Sequence, residues 1–256
     1  VTETAEGTPL WEPSEELKDN ARISDYMAWL KAEKDLSFRD YSELWEWSVT
    51  DLEGFWASIW EYCDVKVSKP YERVLGKREM PGAEWFPGAE LNYAEHVLRH
   101  AADHPDGPAI LHQSEARSLG EVSWGELQER TAALAAGLRE MGVGRGDRVA
   151  AYLPNVPEAV IALLACASIG AVWSSCSPDF GAGSVVDRME QIEPKVFIAV
   201  DGYRYGGKDY DKIEVVARLQ SEIPTLQKTI VLPYLSEVPD TSLLEKAVMW
   251  DDLLAR

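Results

Sequence analysis

The chain of 256 residues is 46% hydrophobic and 27% charged, which supplies a core of ordinary size and excludes a disordered tail. With 25 Lys and Arg against 44 Asp and Glu, its net charge of -19 repels a phosphate backbone, so nucleic acid is not an expected partner. Any anion must therefore be held by a local cluster of cations or backbone N–H groups working against the global field.

The length fits one large domain or two modest ones. Cys63, Cys166 and Cys176 are odd in number and far apart, with no Cys-x-x-Cys pair, which fits a reducing, cytoplasmic setting. The first residues, Val1 to Pro13, lack the basic and apolar pattern of a leader. The longest apolar run, Ala159 to Cys166, is far short of the ~20 residues that span a bilayer, so no membrane partner is expected.

Residues 1–90 hold Trp11, Trp29, Trp45, Trp47, Trp56, Trp60 and Trp85 and form the first expected domain, a helical, Trp-rich extension. Thr50-Asp51-Leu52-Glu53 reads as a capping box that opens a helix, with Leu52, Phe55, Trp56, Ile59 and Trp60 on one face. Residues 91–256 form the second, an α/β part whose sheet is expected to be incomplete. A helix over Leu91 to Ala102 should stop before His104-Pro105. Ala109 to His112 reads as a strand, and Ser123-Trp124-Gly125-Glu126 is a second capping box, its helix ending near Met141 with Gly142 as C-cap.

From Arg148 the pattern becomes regular. Strands are expected at Arg148–Leu153, Ala171–Cys176, Lys195–Val200 and Lys228–Pro233, and helices at Pro157–Ile169, Gly183–Ile192 and Asp209–Glu222. The alternation implies a parallel sheet covered on both faces. Leu243 to Arg256 reads as a short helix, and a parallel sheet ending on an unpaired strand suggests truncation.

Gly142-x-Gly144-x-Gly146 lies between a helix and a strand, the wrong order for a dinucleotide loop, and reads as a turn. His96, His100 and His104 are spaced by four, but no further ligands complete a metal site, and none is expected. Two segments at expected carboxyl ends of parallel strands are better candidates, because open α/β sheets bind ligands there. One is the strand end and turn from Ala171 to Gly183, whose small, hydroxyl-rich residues suit a ligand near backbone N–H groups or no more than a sharp turn. The other is Arg204-Tyr205-Gly206-Gly207-Lys208, a compact cationic loop on an acidic protein, suited to phosphate or to nothing more than solvent.

Gly144 to Asn155, Glu158-Ala159-Val160, Ala165 to Ala171 and Leu91 to Glu95 together resemble the N-terminal part of the adenylate-forming acyl-CoA synthetases. Trp11-Glu12-Pro13, Trp47-Ser48-Val49, Phe55-Trp56, Glu84 to Gly88, Trp173-Ser174-Ser175, Ser177 to Gly181 and Asp187-Arg188 are similar to the acetoacetate-activating members of that family. The resemblance implies an α/β fold in which the helical, Trp-rich segment packs on a parallel-sheet subdomain. It implies an AMP-forming ligase that joins acetoacetate to CoA through an acyl-adenylate, with ATP, CoA and Mg²⁺ as substrates and cofactor, serving lipid or polyketide precursor supply.

The family's glycine-rich phosphate loop, adenine and ribose motifs and C-terminal catalytic lysine do not occur here. The chain is thus expected to be the N-terminal portion of a longer enzyme, without catalytic residues of its own and inactive alone. By resemblance, Arg204, Tyr205, Gly206, Gly207 and Lys208 contact the 3'-phosphate ADP part of CoA, and Asp179 and Phe180 border the pantetheine channel. Another short-chain acyl-CoA synthetase, such as an acetate-activating one, and a non-catalytic module binding CoA or protein are the alternatives.

Overall fold

The computed structural model describes residues 5–255 and divides into two compact units, 1–91 and 92–256. The first contains α1 (Glu15–Asp19), α2 (Arg22–Lys34), α3 (Tyr41–Thr50) and α4 (Leu52–Tyr62), followed by an irregular stretch. Its small core is Tyr26, Leu30 and Leu44, ringed by half-buried aromatic residues. Phe55 stands edge-on to Trp47 at 5.7 Å, and Trp60 packs on Phe86 at 4.4 Å, so tryptophans fill here the role aliphatic residues fill in a larger core. The cap of α4 lies one residue beyond Thr50. Asp51 accepts from the Gly54 N–H, because Thr50 is still helical in α3 and donates its hydroxyl back to the Glu46 carbonyl.

The second unit opens with α5 (Tyr93–Leu98) and α6 (His100–Asp103), two short pieces where one helix was expected. Asn92 caps α5 through the N–H groups of Ala94 and Glu95. β1 (Pro108–His112) and β2 (Gly120–Ser123) form an antiparallel hairpin whose second strand the sequence reading lacked. Ser123 and Glu126 form the expected capping box of α7 (Trp124–Glu140).

β3 (Arg148–Tyr152), α8 (Pro157–Ser168), β4 (Val172–Cys176), α9 (Ala182–Ile192) and β5 (Val196–Val200) follow the expected alternation. After β5 the chain departs from it. The expected helix from Asp209 begins only at Ile213, since β6 (Gly202–Tyr205) and β7 (Lys208–Asp211) form an antiparallel hairpin before α10 (Ile213–Glu222). β8 (Lys228–Leu232) precedes β9 (Ala247–Met249) and α11 (Trp250–Leu254). The terminal segment expected to be all helix thus begins as a strand paired parallel to β8, and β8 is not an edge.

The five-stranded sheet has the order β4-β3-β5-β8-β9, with every pairing parallel. Strand periodicity divides its side chains between two cores. Val149, Ala151, Val196, Ile198 and Ile230 face a core shared with α7, α8 and α11. Ala150, Tyr152, Phe197 and Ala199 face a second core shared with α9 and α10. Burial on both faces accounts for the unbroken apolar run of β5.

Candidate functional site

Three segments meet the carboxyl edge of the sheet: 177–181 after β4, the β6–β7 hairpin after β5, and 233–236 after β8. Each is tied down by one polar side chain. Tyr152, at the end of β3, places its hydroxyl 2.7 Å from the Pro178 carbonyl and 2.6 Å from that of Phe180, strapping the Asp179-Phe180 loop to the sheet. Burial pushes that hydroxyl up to about 12, so it remains a proton donor across any working pH. Burial chiefly, and then the charge of Asp179, also raises Tyr203. Phe180 is exposed, with the Arg188 guanidinium over its ring at 5.1 Å.

Asp201, buried between β5 and β6, accepts from the N–H groups of Tyr234, Leu235 and Ser236 at 2.7 to 3.2 Å, while its own carbonyl accepts from the Lys212 N–H. One carboxylate thus fixes the chain leaving β8 against the base of the hairpin. Next to it, Gly202 has no room for a side chain: a Cβ there would lie 2.6 Å from the Tyr210 carbonyl oxygen.

The segment expected to be a loop, Arg204 to Lys208, is the tip of this hairpin. Gly206 and Gly207 carry φ of +60° and +72°, and two positive φ values in a two-residue turn are the type I′ signature. Cross-strand register pairs Tyr205 with Lys208 and Arg204 with Asp209, so the two pairs project from opposite faces of the ribbon. Arg204 and Lys208 therefore lie on opposite faces of the ribbon. Arg204 is engaged by Asp209 through two hydrogen bonds, at 2.6 and 3.0 Å, and the pair holds Arg204 up and Asp209 down from their ordinary values.

The Lys208 ammonium makes no hydrogen bond or ion pair among the described residues, and Tyr205 beside it is 71% exposed. On the same face Tyr203 and Tyr210 stack at 5.1 Å, with Lys212 over the Tyr203 ring. A free ammonium next to an exposed phenol ring is chemically fit for a phosphate beside a purine base.

The turn has a partner that no local pattern announced. Glu115, in the connection between β1 and β2, accepts from the Gly206 N–H at 2.9 Å through one carboxylate oxygen and from the Gly207 N–H at 2.7 Å through the other. The Gly207 and Gly206 N–H groups hold its carboxyl below the ordinary range. A depressed carboxyl stays charged as pH falls through the usual glutamate range, and the contact is lost only as pH falls through the lowered value.

A surface cavity of about 720 Å³ near the base of the hairpin is lined by Asp201, Asp211, Glu214 and Asp240 and by no cation, so its field opposes a phosphate. The histidines singled out by spacing do other work: His96 lies 3.0 Å from the Arg99 guanidinium, and His100 packs on Trp124. Burial pushes the Cys166 thiol up to about 12, which removes it as a nucleophile.

Comparison with known proteins agrees with this architecture. Residues 97–253 match the AMP-binding enzyme family, and residues 41–97 match the acetyl-coenzyme A synthetase N-terminus. The chain is 40% identical to an acetoacetyl-CoA synthetase of Danio rerio over 99% of its own length and 38% of that protein's. It is 38% identical to an acetoacetyl-coenzyme A synthetase of Rhizobium meliloti over 88% of its length and 34% of the relative's. The solved acetoacetyl-CoA synthetase of Streptomyces lividans superposes with a TM-score of 0.89 at 49% identity, covering 97% of this chain and 38% of that one. The chain thus spans less than two fifths of the length of these relatives. The family match takes in the whole parallel sheet, and the chain belongs to the AMP-binding enzyme family.

Proposed function

We propose that this chain contributes the N-terminal α/β part of an AMP-forming acetoacetate–CoA ligase working in the cytoplasm, and that its share of the chemistry is to hold the nucleotide end of CoA. The supporting observation is the β6–β7 hairpin, where Lys208 and Tyr205 stand unengaged on one face of a glycine turn at the carboxyl edge of a parallel sheet. In this reading Lys208 meets the 3'-phosphate and Tyr205 stacks on adenine. Arg204 serves the hairpin through Asp209, and Asp179 and Phe180, strapped by Tyr152, border the pantetheine path. The acyl group is proposed from the similarity to acetoacetyl-CoA synthetases over 99% of the chain.

The reaction has two displacements. An acetoacetate carboxylate oxygen attacks the α-phosphorus of ATP and expels pyrophosphate, and the CoA thiolate then attacks the acyl carbon and expels AMP. Mg²⁺ would accompany ATP, but no group of three or more His, Cys, Asp or Glu among the described residues could hold a metal ion, so none is assigned to it.

The test is pyrophosphate release by the protein purified from its source, supplied with ATP, CoA and one of several short acids. Acetoacetate is expected to be turned over fastest, and the isolated 256-residue chain to release none. A faster rate with acetate would replace the acyl assignment, and no release with any acid would leave a CoA-binding module.

A further inference from the structure

We infer that Glu115 is the positioning residue of the Gly206-Gly207 turn: its carboxylate takes up both N–H donors of the turn, fixing the hairpin so that Lys208 and Tyr205 face outward to receive an anionic nucleotide. The anchoring half stands on geometry alone, and the nucleotide half rests on the CoA reading above.

Two facts make the hairpin depend on an external anchor. Every residue from Arg204 to Asp211 is exposed, so the ribbon has little apolar burial to hold it in place. An isolated two-stranded hairpin is marginal in water. At its tip the two central N–H groups of a type I′ turn point away from the ladder and have no partner within it. Glu115 supplies one oxygen to each, a charge-assisted pairing.

The anchor is itself rigid. The Ser114 hydroxyl accepts from the N–H groups of Ala116 and Arg117 at 3.2 and 3.0 Å and receives the Tyr234 hydroxyl at 2.7 Å. The Arg117 guanidinium lies over the Tyr234 ring at 4.7 Å and reaches both carboxylate oxygens of the buried Glu158 at 2.9 Å. Glu115 therefore projects from a pinned turn onto an exposed one.

The occupied donors also decide which groups are left for a ligand. Both turn N–H groups are taken by Glu115 and Arg204 is taken by Asp209, so the cation available on the ribbon is Lys208, on the opposite face from Arg204. A 3'-phosphate is then read by side-chain charge rather than by the backbone of the glycine turn.

The experiment is amide hydrogen exchange on this chain together with titration by CoA and by 3'-dephospho-CoA, for wild type, Glu115→Ala and Glu115→Gln. In Glu115→Ala the Gly206 and Gly207 amides should exchange about tenfold faster or more, while Phe197 and Ile198 in β5 keep their protection. CoA should bind several-fold more weakly, with 3'-dephospho-CoA little changed. Glu115→Gln, which retains one acceptor oxygen, should restore protection at one of the two amides.

Unchanged exchange at Gly206 and Gly207 in Glu115→Ala would overturn the anchor. Faster exchange with undiminished CoA affinity would overturn its role in presenting Lys208. If wild type bound no CoA, the ligand reading would fail while the amide result still judged the anchor. If Glu115→Ala exposed the β5 amides, Glu115→Gln would decide.

Discussion

Asp201→Ala is expected to lower the stability of the 92–256 unit by about 3 kcal/mol, the scale of losing a charged acceptor from several hydrogen bonds. The carboxylate is buried and accepts from three consecutive N–H groups, so its removal leaves Tyr234, Leu235 and Ser236 without their acceptor at the end of β8. For a unit of this size such a loss should lower Tm by roughly 10 °C. Asp201→Asn keeps one acceptor oxygen and should lose about half as much. Urea unfolding followed by tryptophan fluorescence and by circular dichroism measures both variants. A change within ~0.5 kcal/mol for the alanine variant, as at an unengaged surface site, would contradict the assignment.

Arg117→Met carries the second large effect. It strips the Glu158 carboxylate, whose side chain is 8% exposed, of a partner at 2.9 Å and leaves it, among the described residues, only Arg130 at 3.6 Å. Breaking one side of a buried pair costs about 3–5 kcal/mol, and the remaining arginine puts the expected loss at the lower end. The double variant Arg117→Met, Glu158→Met removes the stranded charge and should be more stable than Arg117→Met alone, a coupling that a double-mutant cycle reads directly. Additive losses would contradict it. Because the Arg117 guanidinium also lies over the Tyr234 ring, whose hydroxyl holds Ser114 beside Glu115, the single variant should loosen the Gly206 and Gly207 amides as well.

The parts of this molecule that were legible in its sequence are those specified locally. The strand at 196–200 is a continuous apolar run and those at 148–152 and 228–232 become apolar after one or two polar residues, the helix at 124–140 announces itself by its capping box, and the fold class follows from their alternation. What was misread was short or polar. β9 has three residues and exists because β8 offers it a ladder. β7, Lys-Asp-Tyr-Asp, has no apolar face, and its residues from Asp209 run on into the periodic pattern of α10. The one local clue to that hairpin was Gly-Gly between alternating aromatic and charged residues, a two-residue turn signal.

The candidate site was half legible for the same reason. The residues from Arg204 to Lys208 were found, but nothing in their spacing separates the engaged Arg204 from the free Lys208, since that follows from cross-strand register. Glu115 lies 91 residues before the turn it holds, and Asp201 33 residues before the first N–H it accepts. Contacts of that separation are made by the fold and leave no periodic trace in the chain.

The most direct measurement is isothermal titration of the chain with CoA and with 3'-dephospho-CoA, in wild type and in Lys208→Ala. Wild type should bind CoA roughly fivefold more tightly than the dephospho form, the scale of one exposed charge pair, and Lys208→Ala should erase that difference. Equal affinity of wild type for the two ligands, or no binding of either, would contradict a nucleotide site on the hairpin.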